Sequence, residues 1–240
     1  MLLVFVDETS DSKFKEYFGL SVATINYTKY PTVKSEFQKI FKKSKWDESI
    51  EFKGSCLFST KSGDTNVSVE ERVEIAEKVI DLNISKANAR INFHYLRHTV
   101  PPKEHGKEYL RLLPLLLNKG IPKAPSGAGK NIVSVHCDYR SDIDIKQLRE
   151  AVTPVFHNKN YVIFEEPLMA TSNFHTVGLL YADIIGYLAA RIDTISNDSE
   201  LFEGITPEQF ETNGKIKKLK SSVSLISKIK NIGRYEVKVK

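Results

Sequence analysis

The sequence predicts an α/β protein with a mixed central sheet flanked by helices. Short apolar or alternating runs indicate strands at residues 2–7, 16–25, 89–98, 131–138 and 161–166. Helical stretches separate most of these strands, which is typical of a sheet covered by helices. The first two strands follow each other directly, so we expect a hairpin and therefore a sheet that is not wholly parallel.

Apolar residues at helical spacing predict the helices that cover this sheet. Pro31 suits the first turn of one helix, and Ser68 with Glu71 forms a capping box at the start of another. The segment "IPKAPSGAGK" is predicted to be a loop, and it lacks the spacing of a phosphate-binding loop. The helices are expected at residues 31–43, 68–82, 103–118, 143–156, 174–192 and 214–230.

Charge divides the chain of 240 residues into two parts. Residues 215–240 hold nine lysine and arginine residues against one acid, Glu236. We therefore expect a domain at 1–195 and a basic helical C-terminal extension at 196–240. Such an extension suits a phosphate-rich partner, although a solvated helix face explains the same charges.

Composition argues against several other classes of protein. Two cysteines, Cys56 and Cys137, are too few for a disulfide framework. The N-terminus has no basic segment of a signal peptide, and the longest nearly uncharged stretch, 167–182, is too short and polar to span a bilayer. We expect a cytoplasmic protein with no membrane partner. Homo-oligomerisation is left open.

Three acids stand in otherwise apolar elements. Asp7 and Asp138 each follow an apolar strand, and Asp183 lies in the middle of the apolar helix "VGLLYADIIGYLAA". Taken alone, Asp7 and Asp138 suit turn or cap residues, and Asp183 suits an ion pair with a distant base. Taken together, they are placed to converge, because ligands of open α/β sheets bind at the carboxyl ends of strands. Clustered carboxylates without histidine or cysteine favour Mg²⁺ or Mn²⁺.

Four short motifs resemble a family of uncharacterised bacterial and phage proteins. "FVDETS" resembles the opening Y-I-D-E-S-G of that family, "IEFKGS" its E-x-K-x-S segment, "VHCD" its central strand, and "LLYADIIGY" its L-Q-x-A-D helix. The resemblance covers roughly residues 2–192 and implies a ribonuclease-H-like fold. Two positions depart from the pattern: Ser10 replaces a glycine, and Leu180 replaces the glutamine.

The resemblance implies a set of site residues. Asp7, Glu51, Asp138 and Asp183 would be the catalytic, metal-ligating acids, with Lys53 beside them to bind phosphate. Glu8 would be an outer ligand, although strand alternation points it away from Asp7. Glu165 and Glu166 are alternatives to Glu51 as the fourth acid, and His175, at the start of the Asp183 helix, is a second-tier candidate for proton transfer.

Three functions agree with these residues. The first is a nuclease that uses Mg²⁺ or Mn²⁺ and binds DNA or RNA, since paired metal ions held by carboxylates catalyse phosphoryl transfer. The second is a catalytically silent binding or regulatory protein of the same fold, for example in phage–host conflict. The third is a metal-free ion-pair cluster that uses Lys53 and Arg191.

Overall fold

A computed structural model describes residues 1–10, 18–59, 61–85, 92–98, 104–126, 131–196 and 232–237. A single 3-10 turn, Gly54–Cys56, lies between the first two helices. In chain order the other elements are β1 (Leu2–Ser10), β2 (Phe18–Asn26), α1 (Tyr30–Lys43), α2 (Val69–Ser85), β3 (Asn92–His98), α3 (His105–Gly120), β4 (Asn131–Asp138), α4 (Ile145–Asn158), β5 (Tyr161–Ile163), β6 (Leu168–Ala170), α5 (Val177–Ser196) and β7 (Ile232–Val237).

The strands form one mixed sheet in the order β5-β4-β1-β2-β3-β7, and β6 also pairs with β4. β2 is antiparallel to both of its neighbours, β1 and β3, so the predicted hairpin of β1 and β2 is confirmed. β4 then returns parallel to β1, and β5 runs parallel to β4. The predicted α/β class, a mixed central sheet flanked by helices, is therefore confirmed.

Strand alternation gives the sheet two apolar faces. Leu3 and Phe5 of β1 pack on the side of α1, α2 and α5. Val4 and Val6 pack on the side of α3 and α4. Because successive side chains of a strand point to opposite faces, Asp7 continues the row of Phe5 and Glu8 continues the row of Val6. The two neighbouring acids thus belong to different layers.

Helix α5 lies unusually close to β1 and β2 because small residues face the sheet. A Cβ atom on Gly178 would come within 2.3 Å of the Phe5 ring, and one on Gly186 within 2.8 Å of the Ser21 hydroxyl. The Ser21 hydroxyl also donates a hydrogen bond to the Ala182 carbonyl at 3.0 Å. This hydrogen bond fixes the distance between α5 and β2, the strand next to β1, and Asp183 follows Ala182 along the helix.

Most helices lie where the sequence predicts them, and the capping box is present. The Ser68 hydroxyl accepts a hydrogen bond from the Glu71 N–H, and the Glu71 carboxylate accepts one from the Ser68 N–H. No helix in the described ranges is both long and apolar enough to cross a lipid bilayer.

Several strands differ from the prediction. β1 continues to Ser10 because β2 pairs with it along its whole length. The strand expected at 161–166 ends at Ile163, and a short strand, β6, follows at Leu168–Ala170. Both β5 and β6 pair with β4, at successive positions along it.

The end of the chain also differs from the expected helical extension. Residues Ile232–Val237 form a strand that pairs in parallel with β3 at the edge of the sheet. These residues therefore pair with β3 as a strand instead of forming a helix. The helix predicted at 214–230 lies outside the described residues, and the division into 1–195 and 196–240 stays a prediction.

Candidate functional site

The four predicted acids line one cavity of about 200 Å³. Asp7 comes from β1, Asp138 from the end of β4, Asp183 from α5 and Glu51 from the segment before the 3-10 turn. We call this the acid cavity. Its other lining residues are Glu8, Thr9, Lys53, Ser55, Ser172 and Tyr187.

The register of β1 and β4 brings Asp7 and Asp138 together. Val6 pairs with Cys137 in this parallel ladder, so the next position on each strand is an aspartate. Both side chains point to the α5 face, and neighbouring strands lie roughly 4.8 Å apart. β4 ends at Asp138 while β1 continues, so Asp7 lies inside its strand rather than at its end, at the point where its parallel neighbour stops.

A close backbone contact fixes Asp183. The Gly54 N–H donates a hydrogen bond to the Asp183 carboxylate at 2.7 Å. A Cβ atom on Gly54 would lie 2.5 Å from the Tyr187 Cβ, so only glycine allows the turn to approach α5 this closely. Gly54 lies inside the motif "IEFKGS" that carries Glu51 and Lys53, but the motif assigns it no role.

A buried arginine holds the segment that follows this turn. Arg72 of α2 is 1% exposed. Its guanidinium lies 5.8 Å from the centre of the Trp46 ring, so Trp46, itself 4% exposed, is a packing residue and not a surface for stacking bases. The guanidinium donates hydrogen bonds to the backbone carbonyls of Cys56, Ser59, Ser62, Asp64 and Val67.

Arg72 therefore holds residues 57–59 and 61–67, which form no helix or strand, through their backbone carbonyls. A buried charge is tolerated when its hydrogen bonds are complete, and here the backbone supplies them. The sequence gives little sign of this role, because Arg72 resembles any other basic residue of an amphipathic helix. Its partners become visible only once the path of the following loop is known.

Burial and mutual repulsion raise the pKa of each acid in the cavity. Burial has the largest effect on the pKa of Asp7, and repulsion from Asp183 and Asp138 raises it further, well above 3.8. Burial also raises the pKa of Asp183 to about 7, against the opposing effects of the Gly54 N–H and Lys53. The pKa values of Glu51 and Asp138 are raised chiefly by burial as well.

Lys53 is the counter-charge of these acids. Its ammonium lies 3.1 Å from a carboxylate oxygen of Glu51. Burial alone would lower the pKa of Lys53, but attraction to Glu51, Asp183 and Asp138 outweighs burial and raises it. The pKa of Glu51 remains raised despite this pair, because desolvation of its carboxylate exceeds the stabilisation that Lys53 provides.

The acids are close together but each has its own partner. Glu51 pairs with Lys53, Asp183 accepts from Gly54, and Asp138 accepts from the Ser172 N–H at 3.2 Å. Accordingly, within the described ranges no three acidic, histidine or cysteine side chains are arranged to hold a metal ion as they stand. The donors nevertheless have the chemistry that Mg²⁺ and Mn²⁺ prefer, since all are carboxylate oxygens.

Asp7 is the exception, because none of the described residues forms a hydrogen bond or ion pair with its carboxylate. Asp7 is 5% exposed, and burial together with the charges of neighbouring acids raises its pKa. The Ser21 hydroxyl, which donates to the Ala182 carbonyl at 3.0 Å, also lies 3.3 Å from the Asp7 backbone carbonyl oxygen.

Glu8 lines the acid cavity, but its carboxylate already has a partner. It forms an ion pair with Arg140, whose side chain is 10% exposed and also binds Asp142 at 2.7 Å. The Arg140 guanidinium lies 5.1 Å from the centre of the Tyr109 ring, on the α3 side of the sheet. The structure thus agrees with the expectation that alternation turns Glu8 away from Asp7.

The remaining candidates lie outside the residues that line the acid cavity. His175 is exposed and packs edge-on against Phe174. Glu166 pairs with Arg149, and Glu165 occupies a turn with a φ of 58°. Neither glutamate lines the cavity, whereas Glu51 does. The side chain of Arg191 lies outside the described residues.

A turn at residues 173–176 precedes α5. The Asn173 side chain accepts hydrogen bonds from the backbone N–H groups of His175 and Thr176. Asn173 therefore closes this turn ahead of the helix. This leaves Ser172, which is 3% exposed, to face Asp138 and Glu51 in the acid cavity.

Two solved structures are similar in overall form. One is ribonuclease HII of Archaeoglobus fulgidus, solved in complex with PCNA, with a TM-score of 0.45 and 10% identity over 91% of this chain and 93% of that chain. The other is ribonuclease H2 of Pyrococcus horikoshii OT3, with a TM-score of 0.43 and 14% identity over 96% and 100% of the two chains. A similarity this weak says nothing about activity.

No protein-family model matches the sequence, and no curated protein does so either. The resemblance to an uncharacterised bacterial and phage family therefore stays a prediction. Any function has to be inferred from the residues of this chain.

Proposed function

We propose that this protein is a nuclease that hydrolyses phosphodiester bonds with the help of Mg²⁺ or Mn²⁺. The observation that carries the proposal is the convergence of Asp7, Glu51, Asp138 and Asp183, from four separate segments, on one cavity. Clustered acids cost folding free energy. A site that retains such a cost without neutralising it internally is suited to bind a cation.

The four carboxylates would hold the metal, and each has a defined support. Asp7 and Asp138 lie on adjacent strands, and Gly54 orients Asp183 through its N–H. Bound Mg²⁺ or Mn²⁺ would neutralise charge on the phosphate and lower the pKa of water. Lys53, whose side chain is 54% exposed at the cavity, would contact a phosphate oxygen.

Nucleic acid is the proposed partner, because the basic residues of 215–240 suit a phosphate backbone. Their contribution would be electrostatic and independent of sequence, so binding should weaken steeply as salt is added. No base-reading motif is visible in the sequence. Cleavage assays on both DNA and RNA therefore decide which of them is the substrate.

The test is a nuclease screen on single-stranded DNA, double-stranded DNA, RNA and DNA–RNA hybrids with Mg²⁺ or Mn²⁺. Asp7→Asn and Asp183→Asn should abolish cleavage of the substrate that the wild type cleaves. Glu165→Gln, at an acid outside the cavity, is the matched control and should remain active. Equal cleavage by all four proteins would assign the activity to a contaminant and contradict the proposal.

A catalytically silent nucleic-acid-binding protein of the same fold is the second candidate. Two observations favour it: Leu180 replaces the polar residue of the family motif, and the acids of the described chain are not already arranged around a metal position. This candidate predicts salt-sensitive binding of nucleic acid without cleavage, and binding that Asp7→Asn leaves unchanged.

A further inference from the structure

The acid cavity contains its own cation. Among the described residues that line it, Lys53 alone is positively charged. Its ammonium lies 3.1 Å from Glu51, and the side chains of the pair are 54% and 23% exposed. The pair is therefore neither a solvated surface bridge nor locked in the core, and it can open without unfolding its surroundings.

Asp7 shows that the cavity is not fully neutralised by this lysine. Asp7 is 5% exposed and lines the cavity, and its carboxylate has no hydrogen-bond donor among the described residues. Burying a carboxylate without a partner is costly. Because Lys53 is paired with Glu51, the buried Asp7 carboxylate is left without a counter-charge of its own. This lack of a partner is independent of the clustering of the acids.

We propose that Lys53 is the counter-ion of the acid cavity in the metal-free protein and that it competes with the divalent cation for these carboxylates. The inference rests on the proposed metal site and adds how that site is controlled. Glu51 cannot be held by Lys53 and act fully as a metal ligand at once, so metal binding opens the Lys53–Glu51 pair.

The competition explains why the acids are near one another yet not arranged around a metal position. While Lys53 holds Glu51, that carboxylate is directed to the ammonium. Once released, Lys53 carries a free positive charge at the mouth of the cavity, where a phosphate oxygen can take the place of Glu51. The same residue would thereby link metal binding to substrate binding.

The pKa shifts agree with this reading. Lys53 lowers the pKa of each of the four acids, and Glu51, Asp183 and Asp138 raise the pKa of Lys53. Its charge therefore acts on the whole cavity and not on Glu51 alone. A divalent cation entering the cavity would be repelled by the same charge.

Titration calorimetry with Mn²⁺ on the full chain tests the proposal. Lys53→Met removes the competing charge and should tighten Mn²⁺ binding, by roughly tenfold from Coulomb repulsion at the effective dielectric of a protein surface. Lys53→Arg keeps the charge and should bind Mn²⁺ like the wild type. Lys39→Met removes an exposed lysine of a 2.7 Å pair with Glu36 and should change nothing.

Each outcome decides something different. Mn²⁺ binding by the wild type with equal or weaker binding by Lys53→Met would overturn the competition while leaving the metal site intact. Absence of Mn²⁺ binding in both proteins would overturn the metal site and the competition together. Binding by Lys53→Met alone would support the competition in its strongest form.

A second measurement follows Lys53 itself. Acylation of lysine side chains, read by mass spectrometry, reports how free each ammonium group is. Mn²⁺ should increase the labelling of Lys53 in the wild type and leave Lys39 unchanged. Labelling of Lys53 that falls or stays constant while Mn²⁺ binds would contradict the opening of the pair.

Discussion

Asp7 and Glu8 are neighbours in sequence but lie in opposite environments. Glu8 faces the α3 and α4 side, where Arg140 and Asp142 complete a small ionic cluster. Asp7 faces α5, where Glu51, Asp138, Asp183 and Lys53 line the cavity with it. The first cluster satisfies its charges internally, and the second does not. Within the described residues, a carboxylate without a hydrogen-bond donor, rather than a buried charge as such, therefore distinguishes the candidate site.

Nuclease activity should show the largest difference between substitutions of Asp7 and Glu8. Asp7→Asn should reduce cleavage at least roughly a hundredfold, because even residues that only support metal ligands contribute tenfold to a hundredfold. Glu8→Gln should leave the rate within a few-fold, since Arg140 keeps its pair with Asp142. Initial rates at saturating metal measure both. A larger loss for Glu8→Gln than for Asp7→Asn would reverse the assignment of the two faces.

Stability should respond with opposite signs on the two faces. Arg140→Met leaves Glu8 without its partner and should lower the free energy of unfolding by about 2 kcal/mol. Asp7→Asn removes a buried, unpaired charge and should raise it by about 1 kcal/mol in metal-free protein at neutral pH. Urea unfolding with a chelator present gives both values. Destabilisation by Asp7→Asn would mean that its charge has a partner.

The dependence of stability on pH follows from the raised pKa of Asp183. The folded carboxyl keeps its proton up to about 7, whereas the unfolded one loses it near 3.8. The folded state binds more protons between these values, so metal-free stability should fall as pH rises through this window. The steepest slope for one proton is about 1.4 kcal/mol per pH unit.

Asp183→Asn should flatten this fall, because asparagine carries no proton to lose and still accepts the Gly54 hydrogen bond. Thermal unfolding at the two ends of the window, with a chelator, provides the measurement. The Glu8→Gln variant should keep the slope of the wild type. An unchanged slope in Asp183→Asn would show that this carboxyl does not titrate differently in the folded chain.

Local patterns predicted the fold well. Apolar periodicity indicated all five helices of the described ranges, because each covers a sheet face with one stripe. The hairpin of β1 and β2 followed from two adjacent strand patterns. The parts that failed depend on tertiary pairing: β6 has three residues, and β7 is a strand because β3 offers it an edge. Local sequence patterns therefore predict neither β6 nor β7.

The site residues could be predicted from the sequence where a charged residue interrupts an apolar segment. Asp7, Asp138 and Asp183 each interrupt an apolar pattern, and Glu51 with Lys53 followed from a motif resemblance. Arg72 and Gly54 were missed, because an arginine on an amphipathic helix and a glycine in a polar loop are ordinary. Their importance lies in what they touch, namely the carbonyls of residues 56–67 and the Asp183 carboxylate.

Whether the acid cavity binds a metal ion is tested most directly by calorimetry. Mn²⁺ binding is measured for three proteins: the wild type, Asp7→Asn and Glu8→Gln. If the acid cavity on the α5 face of β1 is a metal site, the wild type and Glu8→Gln bind Mn²⁺ alike. Asp7→Asn should then bind at least roughly tenfold more weakly. Equal binding by Asp7→Asn, or no binding by the wild type, would contradict the assignment of the acid cavity as a metal site.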